Sequence, residues 1–255
     1  MTLLLNFPVY LHFGETKILL HVILEFLAFF TGFRYFLFLK KKHGDVLTTG
    51  NRTWIIIATI FGALAGSRLL GGLEDPPQII KADNVLLYFY MNKTVLGGFL
   101  GGLWAVEAVK KMLGEKTASG DLFVYPIIFA LIIGRLGCFS TGLLEETYGV
   151  PTTLFTGIEL GDGIPRHPVT IYEIFYLAGL WIMLKIVATK FSLANGSLFK
   201  LFMMAYLLFR FLLDFIKPHY TWSIGLSSIQ IAALLGLLWY IQFIIYPKKL
   251  IAQPA

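Results

Sequence analysis

The sequence predicts an all-α fold, a polytopic membrane bundle of about seven transmembrane helices with a small cap on its outer face. Three observations predict it. The 255 residues are 57% hydrophobic and only 14% charged, against about 25% charged in an ordinary soluble domain. The apolar residues gather into seven stretches, each long enough for a hydrocarbon core roughly 30 Å thick. The lysines and arginines cluster in alternate loops, as they do in chains that cross a bilayer repeatedly.

The spans fall at about 17–39, 53–72, 94–112, 121–139, 168–189, 197–216 and 226–246. Met1 to Phe13 carries no basic leader region, and no small-residue cleavage site follows, so the first apolar stretch is expected to be a span. Lys40, Lys41 and Lys42 close it. The second span ends on Gly66-Ser67-Arg68-Leu69-Leu70-Gly71, and the fourth on a similar Gly134-Arg135-Leu136-Gly137. Between the second and third lies a loop, 73–93, containing Pro76-Pro77. The third span opens on Thr94-Val95-Leu96-Gly97-Gly98-Phe99-Leu100-Gly101-Gly102. Two glycine pairs four residues apart suit close helix approach, or leave room for an acyl chain. Segment 140–166, rich in Gly, Thr and Pro, is too long for a simple turn and is expected to form a folded cap together with 73–93. The whole chain, 1–255, is expected to form one membrane domain.

Orientation follows from the basic residues. Lys40, Lys41, Lys42, Arg52, Lys110, Lys111, Lys116, Lys185, Lys190, Lys200, Lys248 and Lys249 share one side, which is then cytoplasmic. The N-terminus is expected outside and the C-terminus in the cytoplasm, in a plasma (inner) membrane. The net charge of +6 reads as this topology signal and as affinity for anionic headgroups, not as nucleic-acid binding. The single cysteine, Cys138, rules out an intrachain disulfide and any cysteine-based metal cluster.

Glu25, Arg34, Arg68, Glu107, Arg135, Glu173, Arg210 and Asp214 fall within or at the edge of the spans. Each costs roughly 2.5–3.5 kcal/mol near mid-bilayer, so each needs a partner or a wet cavity. Arg34, Glu25 and Glu107 read as snorkelling or structural charges. His21 and Glu25 share a helix face at i, i+4, where His21 reads as a packing residue. Arg68, Arg135, Arg166 and Arg210 all fall toward the outer half. Arginines gathered at headgroup depth suit phosphate, because the planar fork matches its oxygens bidentately. Asp214, four residues after Arg210, can hold that guanidinium. The residues alone therefore point to a phospholipid ligand, with inter-helix salt bridging as the other reading.

Gly134-Arg135-Leu136-Gly137-Cys138-Phe139 resembles the opening of the signature of the prolipoprotein diacylglyceryl transferase family. Arg166-His167-Pro168-Val169-Thr170-Ile171-Tyr172-Glu173 resembles its Arg-His-Pro-x-Gln-Leu-Tyr-Glu block, Arg210-Phe211-Leu212-Leu213-Asp214-Phe215 its Arg-Phe-x-x-Glu-Phe block, and Ser228-Ile229-Gln230 its Ser-x-Gln segment. Gly66-Ser67-Arg68 and Gly97-Gly98 match weaker positions, so the likeness runs over nearly the whole chain. Departures are concentrated at polar positions. The family's His before Gly-Gly is Leu96, its Tyr on the first span falls near Ile23, its Asn after Gly-Arg-x-Gly is Cys138, and its Asn-Gly-Glu reads Thr141-Gly142-Leu143. Glu145 and Glu146 offer the acid with a shifted register.

The resemblance implies transfer of the diacylglyceryl group of phosphatidylglycerol to the lipobox cysteine of a preprolipoprotein, with no cofactor and no metal. Arg135 and Arg210 would meet the leaving phosphate, with Arg68 or Arg166 assisting. His167 is the first candidate base, then Glu173 and the Glu145/Glu146 pair. Tyr172, Gly97, Gly98 and Asp214 would line the lipid site, and Cys138 reads as a small apolar residue rather than a nucleophile. Two rivals stay open: a diacylglyceryl or head-group transferase with another acceptor, motivated by the lost His and Asn, and a non-enzymatic phospholipid-binding or transport protein. No Ser-His-Asp set or phosphate-binding nucleotide loop is visible in the sequence.

Overall fold

A computed structural model describes residues 6–252. The first part of the leader reading, 1–5, lies outside the described residues. An antiparallel hairpin comes first, β1 (Tyr10–Phe13) and β2 (Thr16–Leu19), with Tyr10 opposite Leu19. It runs directly into α1 (Leu20–His43). Then follow α2 (Thr49–Gly72), the short α3 (Pro76–Lys81) and α4 (Val85–Met91), and α5 (Val95–Met112). A one-turn 3-10 segment, Asp121–Phe123, leads α6 (Val124–Ser140). A two-residue ribbon, β3 (Ile158–Glu159) with β4 (Pro165–Arg166), precedes α7 (Val169–Lys190). α8 (Ser197–Leu213) runs into a 3-10 turn, Asp214–Ile216, and α9 (Ser228–Trp239) and α10 (Ile241–Ile245) follow.

Each expected span meets a helix. The first starts later than expected because Thr16–Leu19 extends as β2 instead. The seventh is interrupted at Tyr240, between α9 and α10. Four segments, α1, α2, α7 and α6 with its leading turn, are long and apolar enough to cross a membrane. α5 carries Glu107, Lys110 and Lys111 in 18 residues, and α8 has 17. Much of the surface fits lipid: Phe26, Phe29, Phe61, Trp104 and Phe175 are all strongly exposed.

Helix ends follow local chemistry. The Thr48 and Thr94 hydroxyls cap α2 and α5 by accepting from Asn51 N (3.3 Å) and Gly97 N (3.1 Å). Ser227 and Gln230 form a reciprocal capping box on α9, at 2.9 and 3.0 Å. Gly44, at φ 79°, ends α1 after its basic last turn.

The chain packs as two compact units. The first holds residues up to Gly44, Gly120–Leu193 and Phe215–Pro218. In it α6 packs against α1 and α7. Gly32 on α1 faces Ala130, Phe36 stacks on Phe123 with ring centres 4.3 Å apart, and Tyr35 stacks on Trp181 at 6.0 Å. The second unit holds Asp45–Ser119, Ala194–Asp214 and the chain from His219. α2 lies along α5, and α8 along α9. The α2–α5 contact is glycine against glycine: a Cβ on Gly66 would strike the Gly97 carbonyl and lie 2.8 Å from Gly101 Cα. One cation counted among the cytoplasmic loop residues behaves differently. Arg52 is 1% exposed, paired with Asp45, and donates to the Ser119 carbonyl at 3.2 Å.

Candidate active site

The ends of α6 and α7 bring Arg135 and Glu173 together. Arg135 projects from the last turns of α6, and Glu173 lies on the second turn of α7. Both are buried, and Arg135 Nε lies 2.8 Å from Glu173 Oε2. The charge that α6 carries into an apolar bundle is thus met by its neighbour. Arg135 Nη1 also donates to Cys138 Sγ at 3.7 Å, one turn farther along.

Beside this pair stands a group that the sequence does not announce. His21 sits in the first turn of α1, and Cys138 in the last turn of α6. Gly137 lets the two helices close here, since its Cβ position lies only 3.4 Å from the His21 carbonyl. Hydrogen bonds from Val9 N to Ser140 O (2.8 Å) and from Leu20 N to Val9 O (3.0 Å) tie the chain ahead of α1 to the end of α6. His21 Nε2 lies 3.5 Å from Glu25 Oε2 and 3.7 Å from Glu145 Oε1. The ligand-type atoms of His21, Cys138 and Glu145 all lie within 4.8 Å of one another. The His21–Glu25 spacing was visible in sequence. The convergence with Cys138 and Glu145 was not, because it depends on how α1 meets α6.

His167 is held at the entrance to α7. Its backbone N–H donates to Val150 O, and its carbonyl accepts from Gly149 N, both at 3.1 Å. Its Nδ1 lies 3.3 Å from the Tyr172 hydroxyl, which is 2.7 Å from Thr156 Oγ1. A small cavity of about 10 Å³, room for about one water, is lined by Cys138, Thr147, Arg166 and His167 among others. Arg166 donates to Asp162 at 2.6 Å and lies over the Tyr148 ring at 5.3 Å. The Arg166 guanidinium beside Asp162 holds that carboxyl below its usual range.

The remaining candidates lie in the second unit. Arg68 sits over the Tyr90 ring at 4.9 Å. Gly97 is pressed against α2, its Cβ position 2.8 Å from Leu70 Cβ, which is a packing role and leaves no room there for an acyl chain. Gly98 has ordinary space, 3.7 Å from the Ala63 carbonyl. Arg210 is buried in the last turn of α8. Asp214 accepts a hydrogen bond from Ser227 Oγ and lies 3.8 Å from His219 Nδ1, so it also anchors the start of α9. Leu96, where the resembling family has histidine, is completely buried.

Comparison with known proteins gives a consistent picture. Residues 8–246 match the family described as prolipoprotein diacylglyceryl transferase. Among curated relatives, a phosphatidylglycerol–prolipoprotein diacylglyceryl transferase of Bordetella parapertussis is 34% identical over 191 residues, covering 70% of each chain. Proteins of the same name are 29% identical in Cupriavidus metallidurans, over 82% of this chain and 80% of the relative, and 29% identical in Zymomonas mobilis, over 75% and 70%.

Proposed function

Because this chain belongs to the prolipoprotein diacylglyceryl transferase family, we propose that it is a membrane transferase moving the diacylglyceryl group of phosphatidylglycerol onto the lipobox thiol of a prolipoprotein. The observation that carries the reading furthest is the buried Arg135–Glu173 pair, at 2.8 Å, because both residues belong to the blocks that carry the family likeness.

The reaction asks for a thiolate and a stabilised leaving phosphate. The thiol proton passes to His167, whose Nδ1 is oriented by Tyr172. The thiolate attacks the glyceryl carbon that bears the phosphate. A C–S bond forms, the C–O bond breaks, and glycerol phosphate departs with the bonding pair. Arg135, held by Glu173, meets the charge growing on that phosphate. Arg166 is a further phosphate ligand in this reading, and Tyr172 supports the lipid. The protein lies in the plasma (inner) membrane with its N-terminus outside and its C-terminus in the cytoplasm. Cysteines placed at Lys41 and Asp162 in a Cys138→Ser background test this: only Asp162→Cys should react with an impermeant thiol reagent in intact cells.

The function is tested by incubating the purified protein with labelled phosphatidylglycerol and a lipobox peptide, and reading product masses. A thioether-linked diacylglyceryl peptide and glycerol phosphate are expected. His167→Gln should abolish product while phospholipid binding persists, since glutamine cannot take the proton. A second reading keeps the transfer and changes the acceptor. Leu96 favours it, because a wholly buried leucine supplies no base where the family has one. Lipid turnover without peptide modification would select it.

A further inference from the structure

His21 does not have the surroundings of a packing histidine. It is 6% exposed, and the carboxylates that meet its Nε2, Glu25 and Glu145, stand at 3.5 and 3.7 Å rather than at close hydrogen-bond distance. Contacts this long only partly offset the desolvation of a buried imidazole. What faces Nε2 is a set of acceptors: Glu25 Oε2 at 3.5 Å, Glu145 Oε1 at 3.7 Å, and the Cys138 sulfur nearby. One Nε2 proton can serve only one of them. A cation at their centre serves all, with the imidazole as a neutral ligand.

We propose that His21, Cys138 and Glu145 bind a divalent, zinc-class metal ion. Thiolate, imidazole and carboxylate together form a borderline-soft donor set, suited to zinc or cobalt rather than to magnesium or calcium. Bonds of about 2.0–2.3 Å place neighbouring ligand atoms of a tetrahedral ion roughly 3.3–3.6 Å apart. The His21–Glu145 spacing is already 3.7 Å, and the three donor atoms lie within 4.8 Å. The closure still needed falls to Glu145, which lies in a bend after α6 rather than in a helix. Supporting groups are in place: Arg135 donates to the Cys138 sulfur, and Glu25 stands beside His21 as an outer oxygen. A single cysteine excludes an all-cysteine cluster but not this mixed set.

Three protein ligands leave a tetrahedral ion one open position. Resting on the transfer reading above, the open position takes the acceptor thiol. Coordination breaks the S–H bond at neutral pH, the proton passes to His167, and the bound thiolate then forms the C–S bond as described. The family histidine replaced by Leu96 is then not needed to generate the thiolate.

The test uses the full chain in detergent micelles, stripped with a chelator and titrated with Co²⁺. One equivalent should bind and give a near-ultraviolet thiolate-to-cobalt charge-transfer band. Cys138→Ser should remove the band. His21→Gln and Glu145→Gln should each weaken binding at least about tenfold, the scale at which even supporting groups act. His12→Gln, on the exposed hairpin, should change nothing. His21→Cys, which replaces one ligand with another, should keep the ion and strengthen the band, separating ligand loss from misfolding. No band in the parent protein, or a band that survives Cys138→Ser, overturns the site. A lipobox peptide should intensify the band and its Cys→Ser counterpart should not. Equal response to both overturns the thiol role. A band that forms and answers the peptide thiol in a protein that makes no thioether product upholds the site and overturns the transfer reading alone.

Discussion

The two units place polar groups among apolar helices in different ways. In the second, apart from the buried Arg52–Asp45 pair, named polar side chains hold helix ends. Thr94 caps α5, Ser67 Oγ accepts from Thr94 N at 3.1 Å, and Ser227, Gln230 and Asp214 secure the start of α9. In the first, Arg135, Glu173, His21, Cys138 and Glu145 face one another across α1, α6 and the entrance to α7, and none of them caps a helix. The difference teaches how to read a polar residue inside a membrane chain. One that satisfies backbone groups explains itself through the fold. One that meets other side chains, at a cost in desolvation, calls for a chemical reason.

Substitutions can break or sharpen this contrast. The largest effect is expected at Glu173. Glu173→Gln strands the buried Arg135 charge and should cost about 3–5 kcal/mol, read as earlier thermal loss of monodisperse protein in detergent. Replacing both partners by leucine should recover most of that stability while product formation stays lost. If the double variant keeps transferring lipid, the pair is structural and the contrast fails. Next comes the glycine seam of the second unit. Gly66→Ala drives a methyl into the Gly97 carbonyl and should cost about 1–3 kcal/mol, with any remaining folded protein turning over normally. Ser227→Ala removes one arm of the α9 capping box and should cost about 1 kcal/mol, again measured by thermal unfolding.

The smallest effect is expected at Asp162. Its carboxyl is held below the usual range by Arg166, so this pairing is complete at neutral pH. It is lost only as pH falls below the ordinary carboxylate range through the lowered value. Asp162 lies exposed in the segment before α7 and is screened by solvent, so Asp162→Asn should shift stability by no more than about 0.5 kcal/mol. It should also flatten the acid limb of the stability profile.

The sequence made the helices legible because hydropathy and the basic end of α1 are local signals. The break at Tyr240 carried no glycine or proline to announce it. Arg52 read as a loop cation because its burial depends on Asp45 and Ser119, whose approach no spacing encodes. Arg135 and Glu173 were legible as family positions, but their ion pair was not. His21 and Cys138 each read as packing residues because each was weighed alone. Their meaning comes from Gly137, which lets α1 close on the end of α6.

That closure bears on the order in which the protein is made. α1 belongs to the same unit as α6 and α7, yet residues 45–119 of the other unit are translated between them. At roughly 5–20 residues per second, His21 leaves the ribosome on the order of ten seconds before Cys138 exists. The α2–α5 glycine seam, contiguous in the nascent chain, can zip shut during that interval. α1 meanwhile waits in the bilayer with its histidine and glutamate unassembled. A pause or truncation before α6 should therefore yield a chain whose α2–α5 pair is formed and whose first helix remains exposed to membrane quality control.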